Sequence, residues 1–208
     1  MRNAIIPAGT RTFVAAEGNE ADLKTITLKE SVTRNAQVPL APLKPGGLTA
    51  AGLPIFKETQ PGVVSIEAPA MRLTPPMTVV EDARVPSGKC IAVPVGGGRD
   101  QGHARCRFEV ASAGVYVLWV RTFAASAEED TFYASLDGGD ISLSDILKKG
   151  QWTWDHVRNR VGEKPAADAW TVWQLAPGEH TLLIRNRESG VRIARIIIAR
   201  QDSAFAPK

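Results

Sequence analysis

From residue 63 to residue 201 the chain is a succession of short alternating segments, and that recurrence limits its fold more than any other feature. Strand signals return roughly every 8 to 20 residues, and no long stretch has helical periodicity. Residues 104–110 alternate most cleanly. Ala104, Cys106, Phe108 and Val110 fall on one face, and Arg105, Arg107 and Glu109 on the other. Successive side chains of a strand point to opposite faces, so this segment has one dry side and one wet side. Residues 115–122 follow Gly114 and are apolar on both faces, as in a central strand. Residues 131–137 turn Phe132, Ala134 and Leu136 inward. Asp137-Gly138-Gly139-Asp140 and Pro177-Gly178 read as turns. Residues 142–149 read as one or two helical turns before Gly150. Further strands are expected at 152–157, 171–175, 180–185 and 192–199. The pattern predicts an all-β fold, an antiparallel jelly-roll β-sandwich over residues 63–201, with 202–208 as a tail.

The preceding 62 residues have a different character. Residues 10–15 and 23–29 read as two weak strands around the turn Glu17-Gly18-Asn19-Glu20. A lone hairpin is marginal in water, so it needs a surface to pack on. Residues 31–62 hold Pro39, Pro42, Pro45, Pro54 and Pro61 with four glycines, and no sheet interior fits them. They read as an extended arm or linker. The division is therefore 1–62 arm, 63–201 sandwich and 202–208 tail.

Charge and cysteine usage exclude several functions. The formal net charge is +3 and no block of like charges occurs, which argues against a nucleic-acid partner. No apolar run approaches the roughly 20 residues of a membrane span, so no membrane insertion is expected. The first 12 residues lack the profile of a signal peptide. Two cysteines, Cys90 and Cys106, and three histidines at 103, 156 and 180 build no zinc pattern. Cys106 lies on an apolar strand face, which favours buried free thiols, and a disulfide to Cys90 stays open only in an oxidising compartment.

A set of phrases in order along the chain carries a resemblance. They are Phe56-Lys57-Glu58-Thr59, Ile66-Glu67-Ala68-Pro69, Phe108-Glu109-Val110 leading into Ala113-Gly114-Val115-Tyr116, Ala134-Ser135-Leu136-Asp137-Gly138-Gly139, and Pro177-Gly178-Glu179-His180-Thr181-Leu182. Together they resemble the galactose-binding-like jelly-roll carbohydrate-binding modules appended to bacterial glycoside hydrolases and lyases, over about the last two-thirds of the chain. The resemblance implies glycan binding without catalysis. It also implies a structural calcium, held by carboxylates in the first and last strands. Here Pro69 stands where a second glutamate is expected, and Ala194 where an aspartate is expected. With Glu67 nearly alone and Arg195 close by, the calcium site is expected to be lost, leaving no metal and no cofactor.

Counting strands in an up-and-down order places loops 95–103, 123–130, 158–170 and 186–191 on one rim. There Arg99, Asp100, Glu129, Asp130, Arg158, Trp170, Arg187 and Glu188 are candidate glycan ligands, offering polar groups and an aromatic face. The plain alternative is a solvated loop surface. Trp152, Trp154, Trp170 and Trp173 crowd together, as a stacking platform or as core, with at least two expected to be buried. The run Gly96-Gly97-Gly98-Arg99-Asp100 reads as a flexible loop, since no Lys-Ser or Lys-Thr follows as a phosphate loop requires. His156, His180, Asp155 and Ser189 have no nucleophile elbow to make them a triad, and His180 reads as a satisfied strand histidine. The acids Glu128, Glu129 and Asp130 are too ordinary a loop series to stand as a glycosidase pair.

The expected function is therefore recognition, not catalysis. One version is a polysaccharide- or cell-surface-glycan-binding domain, extracellular or on a virion surface. In it, residues 1–62 anchor the domain to a larger assembly or homo-oligomer, as in a phage capsid decoration or tail-associated protein. Another is a binding module of a secreted glycoside hydrolase or polysaccharide lyase. A lyase or hydrolase on the same fold lacks a catalytic set.

Overall fold

The computed structural model describes residues 52–158, 160, 170–203, 205 and 207. The hairpin expected at 10–29 and most of the proline-rich arm lie outside the described residues. In chain order the strands are β1 Ile55–Phe56, β2 Glu58–Gln60, β3 Val63–Glu67, β4 Arg72–Thr74, β5 Thr78–Glu81, β6 Lys89–Ala92 and β7 His103–Val110. There follow β8 Gly114–Phe123, β9 Thr131–Leu136, β10 Ser142–Asp145, β11 Thr153–His156, β12 Val172–Leu175, β13 Gly178–Asn186 and β14 Arg192–Arg200. Two short 3-10 turns, Ala68–Ala70 and Ala127–Glu129, interrupt them.

The strands form two facing sheets, the expected all-β sandwich. The six-stranded sheet runs β1-β7-β13-β9-β10, with β4 also on β7. The eight-stranded sheet runs β11-β8-β14-β3-β2, with β12 on β8 and β6 between β14 and β5. Pairing is antiparallel except between β1 and β7, which run parallel. Two edge strands, β1 and β2, precede the boundary expected at residue 62, and the Arg107 amide donates to Pro54 O at 2.8 Å. Proline here sits beside edge strands, where a missing donor does little harm.

Period-two patterning builds the core. Along β7 burial alternates without a break, and Cys106 and Phe108 are fully buried. They meet Leu182 and Ile184 of β13, and across the sandwich Leu118, Val120, Ile196, Ile198, Val64 and Ile66. Each such side chain stabilises the fold by roughly 1.5–3 kcal/mol. Cys90 is buried too, but in a separate cluster with Val85 and Ala194, and both thiols are free.

Residues 142–145 form strand β10, where helical turns were expected. Pairing with β9 closes the sheet edge, and Ser142 and Ser144 point into the seam between the sheets. Their hydroxyls find partners there that only tertiary structure supplies. Thr171 Oγ1 donates to Ser142 at 3.1 Å, and the Arg158 amide to Ser144 at 3.3 Å. The turn after β9 is as read: Asp137 and Gly138 both take positive φ, 52° and 69°, and the Gly139 amide donates to Leu136 O at 2.9 Å.

Candidate functional site

Three of the four expected rim loops meet. Strands β7 and β9 start at one end of the sandwich, where β8 and β13 finish, so loops 93–102, 124–130 and 187–191 converge there. Glu188 is their hub. Its carboxylate accepts from the Thr131 hydroxyl at 2.5 Å, the Asp130 amide at 3.2 Å, Arg99 at 2.9 Å, and Arg187. Arg187 also donates to Thr131 Oγ1 at 2.6 Å, and Asp130 pairs with Lys149 at 2.7 Å. Glu129 lies against Gly190, whose φ is 102° and where an added Cβ would stand 2.5 Å from that carboxylate.

The glycine run read as flexible is tied to β13. The Asp100 amide donates to Arg187 O at 3.1 Å, Arg185 donates to Asp100 O at 2.9 and 3.2 Å, and Asn186 donates to Gly98 O at 3.1 Å. Arg99, Asp100, Glu129, Asp130, Arg187 and Glu188 are thus brought together; Arg99 and Arg187 are directed at Glu188, while Asp100 Oδ1 is buried with no hydrogen-bond partner among the described residues.

Arg158 and Trp170 are not on that rim. Strands β11 and β12 lie end to end along the same partner, β8, so Arg158 and Trp170 sit partway along a sheet edge. Arg158 is buried in the seam, where it pairs with Asp155 and forms an isolated bridge with Trp170. Arg160 beside it pairs with Asp145, whose carboxylate holds the guanidinium more basic than usual.

Trp170 instead caps the outer face of the eight-stranded sheet. It is 45% exposed and stacks on His156 at 3.6 Å between centroids; His156 in turn covers Trp119 at 3.4 Å. Desolvation in this stack, and then the charge of Arg158, pull the His156 imidazole down to about 4. None of the four clustered tryptophans is fully buried, contrary to expectation: Trp152, Trp154 and Trp173 are half-buried and Trp170 is exposed. Trp152 and Trp154 do share a face, but it is the outward one.

Register arranges that outward face into rows. One row reads Trp154, Arg121, Arg195, Glu67 across β11, β8, β14 and β3. The next reads His156, Trp119, Ile197, Ser65, and the third Val172, Val117, Ala199, Val63. A cleft of about 380 Å³ opens here, with Gln60, Ser65, Arg121, Trp154, Arg195 and Phe205 among its walls. Arg195 donates to Ser65 at 2.9 Å and meets Glu67 at 3.2 Å, so the carboxylate left at the position of the calcium site expected to be lost faces an arginine. Arg121 Nε is buried and has no hydrogen-bond partner among the described residues. Nearer the rim, Asp82 takes hydrogen bonds from Arg84 and Arg192, and both guanidinium groups lie over Phe123. Arg84 above all holds the Asp82 carboxyl well below the usual range.

Sequence reasoning missed Arg121, Arg195 and this face. The signal was present: residues 115–122 are apolar on both sides, and the second side faces outward. Ser189 forms no hydrogen bond with His156, His180 or Asp155 among the described residues. His180 instead bonds Asp137 at 2.7 Å and Ala176 O at 2.8 Å, the satisfied strand histidine expected. No group of three His, Cys, Asp or Glu side chains converges among the described residues. No helix among them is long and apolar enough to cross a membrane.

No protein-family model and no curated protein matches the chain. Solved structures share its fold. The GH26-CBM35 β-(1,4)-mannanase of Podospora anserina superposes with a TM-score of 0.52 at 20% identity, covering 71% of this chain. The matched part is 29% of the mannanase, so the chain spans under a third of that enzyme. The C-terminal family 6 carbohydrate-binding module of a Zobellia galactanivorans laminarinase matches at 0.50 and 14% identity, over 66% of this chain and 99% of the module. A family 35 carbohydrate-binding module from Clostridium thermocellum matches at 0.50 and 15%, over 65% and 96%. The likeness is one of fold: the chain has the β-sandwich of carbohydrate-binding modules.

Proposed function

We propose that this chain is a non-catalytic recognition module that holds a polysaccharide on the outer face of its eight-stranded sheet. The observation that carries the reading is the row Trp154–Arg121–Arg195 lining an open cleft, with an arginine Nε that the described residues leave unpartnered. Sugar recognition needs a flat apolar surface for C–H groups beside donors for paired hydroxyls. Trp154 supplies the surface, and Arg121, Arg195, Ser65 and Gln60 supply the polar groups. Trp170 and Trp152 extend the aromatic edge along β11.

The rim residues of the original expectation take a supporting role in this reading, because a ligand there has to displace charge-assisted hydrogen bonds already made. The test is depletion of the full chain by a panel of insoluble polysaccharides, with Trp154→Ala and Arg121→Ala as variants. At least one polysaccharide should retain the protein, and each substitution should weaken retention at least tenfold. Failure of the whole panel, or retention of Trp154→Ala equal to the parent, would end the reading. The carrier is either a polysaccharide-degrading enzyme or a particle held through residues 1–62. Light scattering of the purified chain separates them, since only the second predicts self-assembly.

A further inference from the structure

The outer face of the six-stranded sheet carries cations that neither the rim nor the cleft employs. Along β7, His103, Arg105 and Arg107 alternate outward. Arg72 of β4 stands directly opposite Arg105, and Arg185 of β13 directly opposite His103. Toward the far end charges are matched: Arg107 donates to Glu179 at 3.0 and 3.2 Å, and Lys57 meets Glu109 at 3.4 Å. Toward the rim they are not. Among the described residues, Arg72 and Arg105 have neither a hydrogen-bond partner nor an ion pair. Arg185 is fixed by the Asp100 carbonyl and lies 5.9 Å from the Tyr133 ring, partners that leave its charge uncompensated. The Asp100 carboxylate faces the Tyr133 hydroxyl.

Like charges directly opposite on neighbouring strands weaken a sheet. His103 registers the local potential: burial, and then Arg105 and Arg185, pull its imidazole below the ordinary value. Two opposed guanidinium forks with no carboxylate between them are matched by an oxyanion that accepts from both.

We propose that Arg72 and Arg105, flanked by Arg185, form an anion site that takes a sulfate or carboxylate substituent of an acidic polysaccharide. The patch is two arginines wide on adjacent strands about 4.8 Å apart, the scale of one anionic group and not of a phosphate backbone. Its aromatic, Tyr133, is half-buried and lies by Arg185, so it offers no platform for stacked bases. The site lies on the opposite face of the sandwich from the Trp154 cleft and does not depend on it.

Affinity electrophoresis of the full chain in dextran sulfate, with uncharged dextran and a short DNA duplex as comparisons, tests the assignment. Dextran sulfate should retard the protein, uncharged dextran should not, and the effect should weaken between about 50 and about 200 mM salt, over which the Debye length roughly halves. Arg72→Gln with Arg105→Gln should lower the affinity at least tenfold, while Lys57→Gln, at the charge-matched far end of the same face, leaves it nearly unchanged. Arg105→Glu should abolish retardation and raise Tm, because it converts an opposed like pair into an ion pair; a lowered Tm would refute the repulsion. Retardation that survives the double substitution, or that falls as far with Lys57→Gln, overturns the site. Equal retention by the DNA duplex overturns the polysaccharide class.

Discussion

At the rim each arginine is answered by an acceptor; on the outer face of the eight-stranded sheet Arg121 has none among the described residues. Both regions hold arginines, carboxylates and ring systems within a few residues of one another. They differ in what remains free. Glu188 already accepts four hydrogen bonds, two of them from guanidinium groups. A sugar hydroxyl offered to it has to displace a donor already in place, and in two cases that donor is a guanidinium group. The sheet face instead holds aromatic area with no cover over Trp170, and an arginine Nε with no acceptor among the described residues. Guanidinium groups and a carboxylate that answer one another, as around Glu188, therefore mark a scaffold, and an exposed aromatic ring beside an unanswered arginine marks a site.

The comparison is broken most directly by a swap of phenotypes. Trp154→Ala should reduce polysaccharide retention at least tenfold and leave thermal stability within a few degrees, since the ring is half-buried on an outer face. Glu188→Ala should do the reverse. It strips a carboxylate whose side chain is 11% exposed and leaves Arg187 and the Thr131 hydroxyl without it. Breaking such a pair from one side costs about 3 kcal/mol, read as a shifted urea midpoint. The surviving folded fraction should bind as the parent does. If Glu188→Ala loses binding in proportion to nothing but its own fold, the division of labour stands; if it loses binding while fully folded, the rim is the site.

How much of this was legible follows from the range of each signal. The alternation of residues 104–110 survives any topology, because burial of one face is local, and the same holds for the turn at Asp137-Gly138. Strand β10 was illegible because its reason to be a strand lies 14 to 29 residues away, in Arg158 and Thr171. Period two places Trp152 and Trp154 on one face, but which sheet covers that face depends on β8 standing beside β11. The rim was half legible. Three loops converge as counted, yet Arg158 and Trp170 do not join them, because β11 and β12 lie end to end along one partner, β8. Arg121 and Arg195 become neighbours only through the β8–β14 register, which a bulge between Ile193 and Arg195 sets.

A pH scan sharpens the same contrast from the side of the sheet face. His156 is held at about 4 in the fold, against 6.5 for a free histidine. Between those values the unfolded chain takes up a proton that the folded chain refuses, so stability falls as pH drops from 6.5 toward 4 and levels off below. Above 6.5 the contribution is whole. The loss is at most about 3 kcal/mol. Comparing the parent with His156→Phe by urea unfolding at pH 7 and pH 4.5 isolates it, and the variant should show the shallower dependence. Because Trp170 rests on this ring, ligand retention should weaken over the same window.

The smallest effect tests whether the rim's closure resides in its interior or its exterior. Arg99 and Arg187 both reach Glu188, but Arg99 is 58% exposed along its side chain and Arg187 only 20%. Water and salt screen the outer pair, and a long side chain loses entropy in holding it, so Arg99→Ala should cost about 0–1 kcal/mol. Arg187 also donates to Thr131 Oγ1 beneath the surface, and its loss should resemble that of Glu188. Unfolding curves at 0.05 and 0.5 M salt separate the two, because only the exposed pair should fade with added salt. A large, salt-insensitive cost for Arg99→Ala would mean that the glycine-rich loop is held from outside, and that a ligand competing for Arg99 could open the rim.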